Sequence, residues 1–292
     1  MGFLSLVEAI LTFAKVPPRQ RDDMLSPRNL VRFSTAFVHD VKGDYDPDHN
    51  HTPFTTLGHE SLVKAIAWYF PRKWPTLFLE PYANKPIGHL HMVYDQENRF
   101  GSYLLQQFDI WQYIQMAPER REELERKDRL CHEHNIVFTG ADTRTEVVQK
   151  VFEAMLAVVE WVMDDLYADG VGNQVVMGMV WEMMDRMPVP DFHYESLVDP
   201  STRLNNHFVT GDRVITYKED KVRGADGLFR CTVHYKGQPI ATGAHPSNSN
   251  EAKRVASHEA WKWIHHHRIP LLKPINEGWQ RFHDAVERTK RI

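Results

Sequence analysis

Histidine is the residue that most directly suggests chemistry in this sequence, because the chain carries 17 histidines and neutral imidazole is a common metal ligand. None of them has the paired ligand spacing of a zinc finger, and the metalloprotease pattern HExxH is absent. We therefore expect exposed or helix-capping histidines and no metal site, with a zinc site near Cys131 as the open alternative. The closely spaced groups are His49 with His51 next to Asp46 and Asp48, His89 with His91, Cys131 with His132 and His134, and His265–His267.

Charge is distributed unevenly along the chain. Residues 1–196 carry 19 Lys and Arg against 29 Asp and Glu, a net charge of -10, whereas residues 197–292 carry 16 against 10, a net charge of +6. The basic C-terminal part is therefore the part suited to nucleic acid. The highly charged segment Pro118–His134 interleaves both signs at helical spacing, which indicates a solvated helix and not an RNA-binding patch.

Composition excludes several classes of protein. An apolar fraction of 42% and a charged fraction of 25% are typical of a globular chain and not of a disordered one. No apolar run reaches the ~18 residues that a membrane-spanning helix needs. Two cysteines, Cys131 and Cys231, argue against a disulfide-rich scaffold and predict an intracellular, reducing compartment, with cytoplasm, nucleus and mitochondrion all left open. The length of 292 residues predicts two domains.

Hydrophobic periodicity predicts a helical N-terminal domain over residues 1–187. Two of its helices are long, Leu57–Trp74 and Thr143–Tyr167, because apolar residues recur there at helical spacing. A further helix is predicted after Ser26, which is the expected N-cap and is followed by a proline in the first helical position. Two prolines, Pro188 and Pro190, end the last helix and begin a linker over residues 188–198.

The pattern changes after the linker, where a helix, three strands and a second helix follow one another. In Leu228–Tyr235 apolar and polar residues alternate, as in a half-buried strand, and Asp212–Glu219 and Gln238–Gly243 have strand composition. The flanking helices are predicted at Ser201–Val209 and Asn250–His266. The order αβββα predicts a second domain over residues 199–268, followed by a C-terminal extension over residues 269–292.

This order and several sequence motifs resemble a double-stranded RNA-binding domain. The matching segments are DPSTRL (Asp199–Leu204), LFRCTVHYKGQPIATG (Leu228–Gly243) and NEAKRVASHEAWKWI (Asn250–Ile264). Such domains recognise duplex RNA by its shape, through minor-groove contacts and the phosphates between them. The resemblance implies that Thr202, Asn205 and Asn206 face a minor groove and that Lys253, with Arg254 nearby, meets phosphates.

Two departures from the family's pattern weaken the expected RNA contact. The pair of lysines that usually precedes Glu-Ala-Lys is replaced by Ser249 and Asn250, and affinity falls steeply as phosphate contacts are lost. The loop between the first two strands reads Gly-Ala-Asp-Gly over Gly224–Gly227, without the family's histidine. A module that binds protein or only stabilises the fold therefore stays open as the alternative to RNA contact.

The N-terminal domain, together with the DPSTRL segment that follows it, resembles ribonuclease III. The matching segments are VRFSTAFVHD (Val31–Asp40), TPFTTLGHESLVKAIAWYFPRKWP (Thr52–Pro75) at the family's signature, and VVQKVFEAMLAVV (Val147–Val159) at its second active-site helix. The resemblance implies a two-domain α plus α/β protein, an all-α ribonuclease III-like domain followed by an αβββα double-stranded RNA-binding domain. In that family four carboxylates hold Mg²⁺, which activates water for phosphodiester hydrolysis.

Only one carboxylate, against the four that the family uses, is found among the five positions that match its acidic residues. The two signature glutamates fall on the neutral Thr52 and Thr55, or on the neighbouring Pro53, and the signature aspartate is His59. On the second helix the aspartate is Lys150, whereas the last glutamate matches Glu153. A single carboxylate cannot hold a hard divalent cation, and an ammonium group repels one. We therefore expect no catalytic residue and no cofactor, with His59, Lys150 and Glu153 as remnants of a lost site; only an active nuclease would need Mg²⁺.

These expectations favour a non-catalytic subunit that binds RNA or acts as a scaffold in a ribonucleoprotein assembly. The partners that the resemblance implies are duplex or structured RNA, a mitochondrial ribosome or an RNA-processing or editing complex, and a second ribonuclease III-like chain. That second chain would form a homodimer or heterodimer through the signature helix, and no membrane partner is expected. Two alternatives remain, an active double-strand-specific Mg²⁺-dependent endoribonuclease and a structural or virion-associated protein that has lost RNA binding.

Overall fold

The computed structural model describes residues 2–39, 52–75, 88, 93–94, 98–134, 143–188, 194–208, 215–220, 222–271 and 277–289. In these ranges the protein is mostly helical, with one small three-stranded antiparallel sheet near the C-terminus. None of the helices described here is long and apolar enough to cross a membrane.

The chain forms two compact units. The helical unit comprises Met1–Phe78, His91–Leu124 and Arg144–Val189, and the sheet unit comprises Leu79–Leu90, Glu125–Thr143 and Pro190–Ile292. A segment between two parts of the helical unit, Glu125–Thr143, thus packs with the sheet unit. The domain bounds derived from the sequence stay a prediction.

The helices before the sheet unit confirm the main elements predicted from periodicity. They are α1 (Phe3–Phe13), α2 (Pro18–Met24), α3 (Pro27–Ala36), α4 (Thr52–Lys73), α5 (Arg99–Gln107), α6 (Pro118–Glu133), α7 (Arg144–Leu166) and α8 (Val171–Arg186), with a short 3-10 helix at Trp111–Tyr113. The two long predicted helices are α4 and α7. The third helix begins at Pro27 behind Ser26, as expected, although the Ser26 side chain makes no capping hydrogen bond.

Helix α7 is the centre of the helical unit, because its side chains are buried on nearly every side. Val151, Leu156 and Val159 are all fully buried, and Phe152 stacks on Phe100 of α5 with the ring centroids 5.5 Å apart. Full burial of such a side chain stabilises a fold by about 1.5–3 kcal/mol. Helices α4, α5 and α8 pack around α7 and so share this core.

The sheet unit has the αβββα order predicted from the sequence. Its elements are α9 (Tyr194–Leu197), α10 (Pro200–Phe208), β1 (Ile215–Glu219), β2 (Phe229–Tyr235), β3 (Gln238–His245), α11 (Ser249–His266) and α12 (Glu277–Thr289). The strands pair antiparallel in the order β1-β2-β3. On the central strand Cys231 and Val233 are fully buried while their neighbours are not, which confirms the predicted alternation.

Helix α11 lies directly against the sheet because the facing residues are small. A Cβ atom on Gly243 of β3 would lie 2.2 Å from the amide nitrogen of Ala256 and 2.4 Å from the carbonyl oxygen of Ala252. Real Cβ atoms do not approach backbone so closely, so only glycine permits this contact. Both alanines are fully buried at the same contact.

The predicted C-terminal extension packs on the sheet unit through helix α12. Trp279 and Phe282 of this helix are buried. The ring of Trp279 meets Tyr194 edge to face, with the ring centroids 5.3 Å apart. Trp261 of α11 and His207 of α10 complete this aromatic cluster at 6.5 Å and 5.5 Å from the Tyr194 ring.

The interpretation of Pro118–His134 as a solvated helix is wrong for one side of α6. In the part that belongs to the sheet unit, Lys127 and Cys131 are each only 2% exposed. Leu130 and Arg126 come within 3.6 Å of the position that a Cβ on Gly227 would occupy, so this part of α6 lies beside the loop between β1 and β2. The sequence pattern did not predict this buried side, because a lysine counts as a charged residue although its aliphatic stem can pack like an apolar side chain.

Candidate functional site

The close crossing of α4 and α7 is set by Gly58. A Cβ atom at this position would lie 1.6 Å from the carbonyl oxygen of Glu153 and 2.4 Å from its carbonyl carbon. Helix α4 can therefore rest on the backbone of α7 only because residue 58 has no side chain. This contact brings onto α7 the side chains of Thr55, about one turn before Gly58, and of His59, directly after it.

Four of the positions singled out by the predicted resemblance to ribonuclease III come together at this crossing. The Thr55 hydroxyl donates a hydrogen bond to the Lys150 carbonyl oxygen at 3.4 Å. One turn further along α4, Nδ1 of His59 lies 3.4 Å from Oε1 of Glu153. The four residues Thr55, His59, Lys150 and Glu153, called the α4–α7 crossing site below, thus come together from two helices that are distant in sequence.

Glu153 is the only acidic member of the crossing site, and it is held from both sides. Its residue is 5% exposed. Besides the contact with His59, its Oε1 accepts a hydrogen bond from Nε2 of Gln149 at 3.2 Å. Gln149 in turn accepts a hydrogen bond from the amide of Gly101 on α5 at 3.0 Å. The carboxylate is therefore built into a polar network and does not stand at an open surface.

Gln149 was missed at the level of the sequence. A glutamine side chain does not titrate and is a weak metal ligand, so a glutamine among apolar residues does not by itself indicate a functional site. Its spacing of four residues before Glu153 places both side chains on one face of a helix, and this spacing was the available clue.

Lys150 does not point its charge at Glu153 but at a neighbour on its own helix. Its ammonium pairs with the Glu146 carboxylate at 2.8 Å, four residues earlier on α7. The crossing site therefore holds a neutralised lysine and a single buried carboxylate. Among the described residues no group of three or more His, Cys, Asp or Glu side chains could hold a metal ion.

The proposed RNA-contacting residues of α10 lie on its outer side. Thr202, Asn205 and Asn206 are exposed. The helix begins at a capping carboxylate, since Oδ1 of Asp199 accepts hydrogen bonds from the amides of Ser201 and Thr202 at 2.9 Å and 3.1 Å. The Asn206 side chain hydrogen bonds to the hydroxyl of Tyr194, whose pKa is raised mainly by burial.

The two cations expected to meet phosphates are both engaged within the protein. Nζ of Lys253 lies 3.0 Å from a carboxylate oxygen of Glu219 on β1 and 4.4 Å from the ring centroid of Tyr217. The guanidinium of Arg254 lies 3.2 Å from the carboxylate of Glu251. All four charged side chains are partly exposed, so the pairs are open to competition from phosphates.

The loop between β1 and β2 is held by hydrogen bonds and an ion pair among its own residues and the start of β2. The Asp226 carboxylate pairs with Arg230 on β2 and accepts a hydrogen bond from the Leu228 amide at 3.3 Å. The Arg230 guanidinium holds the pKa of Asp226 below its usual range. The amide of Gly224 also donates to the Leu228 carbonyl oxygen at 2.8 Å, so the loop is ordered by short-range contacts.

Most histidine groups that suggested metal chemistry are not organised as ligand sets in the described ranges. Cys131 is buried, and burial, followed by the charge of Asp128, raises the pKa of its thiol to about 11, which disfavours the thiolate that zinc needs. His132 and His134 are exposed. The ring of His267 stacks on Trp263 at 4.0 Å. The remaining candidates His49, His51, His89 and His91 lie outside the described residues.

Comparison with known proteins adds no family assignment. The chain matches no protein-family model and no curated protein sequence. A functional assignment therefore rests on the α4–α7 crossing site and on the exposed surface of the sheet unit.

Proposed function

We propose that this protein is a non-catalytic, ribonuclease III-like subunit that binds structured RNA or acts as a scaffold in a ribonucleoprotein assembly. The observation that carries the proposal is the α4–α7 crossing site, where Thr55, His59, Lys150 and Glu153 meet with one carboxylate among them. Phosphodiester hydrolysis by this chemistry needs several carboxylates to hold Mg²⁺. A mitochondrial ribosome and an RNA-processing or editing complex are the assemblies that this proposal favours.

The sheet unit supports the RNA-binding part of the proposal. It carries the basic part of the chain and has the αβββα order with hydroxyl and amide side chains on the outer side of α10. Such side chains suit the 2′-hydroxyl groups and base edges of an RNA minor groove. Lys253 and Arg254 then supply phosphate contacts after exchanging their carboxylate partners, which makes the expected affinity modest.

Duplex RNA binding by the full chain tests this part of the proposal. We expect binding that weakens with salt, and we expect the Lys253→Ala, Arg254→Ala double variant to bind roughly tenfold more weakly, with a shallower salt slope. Fluorescence anisotropy with a labelled duplex of about 20 base pairs, which exceeds the ~16 base pairs that such a domain spans, measures both quantities. Glu219→Gln removes the negative charge that pairs with Lys253, so this variant is expected to bind the duplex more tightly than the wild type.

Lys262→Ala is the matched control for the double variant, because Lys262 lies on the same helix and pairs with Glu259 at 2.8 Å near its far end. This control is expected to leave the affinity unchanged. Wild-type protein that binds no duplex at low salt would instead favour the structural or protein-binding alternative. Cleavage of long duplex RNA by the wild-type chain with Mg²⁺ would contradict the non-catalytic assignment outright.

A second chain is the other proposed partner, and an apolar patch on the helical unit supports it. Leu57 on α4 is 63% exposed, and Trp161 on α7 is 44% exposed and stacks on Phe54 with the ring centroids 5.8 Å apart. We propose that this patch pairs with another ribonuclease III-like chain, in a homodimer or a heterodimer. Exposed large apolar side chains that lie together are typical of protein interfaces.

Substitution of Leu57 by aspartate tests the pairing. Because a charge at the centre of an apolar interface is costly to bury, we expect Leu57→Asp to be monomeric at concentrations at which the wild-type chain self-associates. Sedimentation velocity measures the difference, and co-expression with a candidate second chain covers the heterodimer. The control is Val222→Asp on the sheet unit, where the replaced side chain is even more exposed, at 78%. Equal loss of association in both variants would contradict the assignment of the patch.

A further inference from the structure

A small cavity lies between helices α4 and α8 of the helical unit, near the C-terminal ends of both helices. It has a volume of about 160 Å³ and is lined by Tyr69, Arg72, Lys73, Trp181 and Asp185. The lining thus combines two aromatic rings, two cations and a carboxylate. Binding sites for small molecules have this character, with an apolar wall and a few polar groups that fix the orientation of the ligand.

The carboxylate in the cavity is already engaged within the protein. Oδ1 of Asp185 accepts a hydrogen bond from the Tyr69 hydroxyl at 2.9 Å, and the same oxygen pairs with the ammonium of Lys73. Burial raises the pKa of Asp185, but the hydrogen bonds from Lys73 and Tyr69 outweigh burial and hold this pKa below its usual range. The carboxylate is therefore ionised at pH 7, and it neutralises Lys73.

Arg72 differs from Lys73, because its charge has no carboxylate partner in the described part of the chain. Cζ of Arg72 lies 4.6 Å from the ring centroid of Trp181, so the guanidinium is stacked on the indole. The indole is fixed in turn, since its Nε1 donates a hydrogen bond to the carbonyl oxygen of Ala65 at 2.8 Å. The helix dipole favours a cation in the last turn of α4, which explains why Arg72 is tolerated there without an anion.

Arg32 shows the same kind of stack with its anion in place. Its guanidinium lies 3.8 Å from the ring centroid of Trp161 and also pairs with the carboxylate of Asp165 at 2.7 Å. A guanidinium binds a carboxylate through two parallel hydrogen bonds, and stacking on an aromatic ring holds its planar fork in position. A carboxylate bound to Arg72 would complete the arrangement that Arg32 already has.

We propose that this cavity binds a carboxylate with an aromatic or apolar body, through Arg72. The guanidinium donates two hydrogen bonds to the carboxylate, and the body of the ligand lies against the rings of Trp181 and Tyr69. The ionised Asp185 repels a phosphate dianion more strongly than a singly charged carboxylate, so it selects for the carboxylate. The carboxylate belongs either to a free small molecule or to a side chain of a partner protein.

Binding of sodium benzoate to the full chain tests the site. The indole N–H signal of Trp181 in proton–nitrogen correlation spectra reports the binding, and Trp181→Phe assigns this signal. We expect a saturable shift with a Kd of about 1 mM, which is ordinary for a ligand of this size. Benzamide, which has nearly the same shape without the charge, and inorganic phosphate at equal ionic strength are each expected to bind roughly tenfold more weakly.

Variants of Arg72 test its role directly, and they are expected to fold because this side chain is exposed. Arg72→Gln is expected to bind benzoate roughly tenfold more weakly than the wild type. Arg72→Lys keeps the charge without the planar fork and is expected to be nearly as weak. Arg32→Gln is the matched control, because Arg32 is also stacked on a tryptophan but is already paired, and it is expected to leave the affinity unchanged.

A capped peptide, acetyl-Phe-Glu-Phe-amide, distinguishes the two sources of the carboxylate. Trp68 lies one turn before Arg72 on α4 and is 58% exposed, so a partner protein would cover it whereas a small molecule in the cavity would not. If the source is a partner protein, the peptide binds more tightly than benzoate and Trp68→Ala weakens its binding. If the source is a free molecule, benzoate binds more tightly than the peptide and Trp68→Ala changes neither. Both results support the site.

Three results would overturn the site. The first is a Trp181 signal that does not shift with benzoate up to about 20 mM, well above the expected Kd. The second is Arg72→Gln that binds benzoate as tightly as the wild type, and the third is benzamide that binds as tightly as benzoate. None of these measurements involves RNA, so failure of this site and failure of the proposed function are seen separately.

Discussion

Replacing Gly58 by alanine is expected to lower the free energy of unfolding of the helical unit by about 3 kcal/mol or more. The added Cβ would lie 1.6 Å from the carbonyl oxygen of Glu153. Because that atom belongs to the backbone of α7, no side-chain rotation relieves the clash, and α4 has to move away from α7. The movement also separates His59 from Glu153. Urea-induced unfolding followed by circular dichroism measures the loss.

Gly178 provides the matched control, since it is also a glycine inside a helix of the same unit. A Cβ at this position would meet nothing within 4 Å. Alanine is a better helix former than glycine, so Gly178→Ala is expected to raise the free energy of unfolding by about 0.5–1 kcal/mol. The same chemical change thus has opposite signs at the two sites. Equal destabilisation of both variants would contradict the role assigned to the α4–α7 contact.

The contrast between these two glycines also explains what the sequence could not predict. Local periodicity was sufficient to find α4 and α7, since each carries its own repeating apolar pattern. Nothing local distinguishes Gly58 from Gly178, because the partner of Gly58 is Glu153 on another helix, far away in sequence. Close helix contacts are a property of pairs of elements, whereas periodicity reports on one element at a time.

The sheet unit shows the same division between local and long-range information. The alternation of Leu228–Tyr235 predicts β2 to within one residue of the observed Phe229–Tyr235, because one face of the strand is buried. The burial of Lys127 was not predictable, since a lysine among charged neighbours reads as solvent-exposed. Lys127 is buried by contacts within the sheet unit, and the local sequence of α6 carries no information about those contacts.

The resemblance to ribonuclease III, which stays a prediction, singled out the four residues of the crossing site one by one. His59 and Glu153 have no feature in composition or spacing that would place them together, and they lie 3.4 Å apart. The resemblance did not include the polar support of Glu153 by Gln149, because the family's motif describes carboxylates alone. The structure thus adds the reason why a single buried carboxylate is tolerated here, namely that two hydrogen-bonding partners hold it.

Introducing carboxylates at the positions marked by the proposed resemblance to ribonuclease III is the second change with a large expected effect. The triple variant Thr55→Glu, His59→Asp, Lys150→Asp would place three new acidic groups beside Glu153. Like charges about 5 Å apart repel by about 3 kcal/mol at an effective dielectric constant of ~20, so we expect this variant to be less stable than the wild type without divalent ions. Mg²⁺ at about 10 mM is expected to raise its Tm by roughly 5 °C, because a bound cation removes the repulsion.

Differential scanning calorimetry with MgCl₂ against sodium chloride of equal ionic strength measures this gain. The amide variant Thr55→Gln, His59→Asn, Lys150→Asn is the control, because it has nearly the same shape without the new charge and is expected to gain nothing from Mg²⁺. The wild-type chain is also expected to gain nothing, since the crossing site offers one carboxylate that is already hydrogen bonded to Gln149 at 3.2 Å. Stabilisation of the wild type by Mg²⁺ as large as that of the triple variant would mean that its own residues hold the cation, and the non-catalytic assignment would then fail.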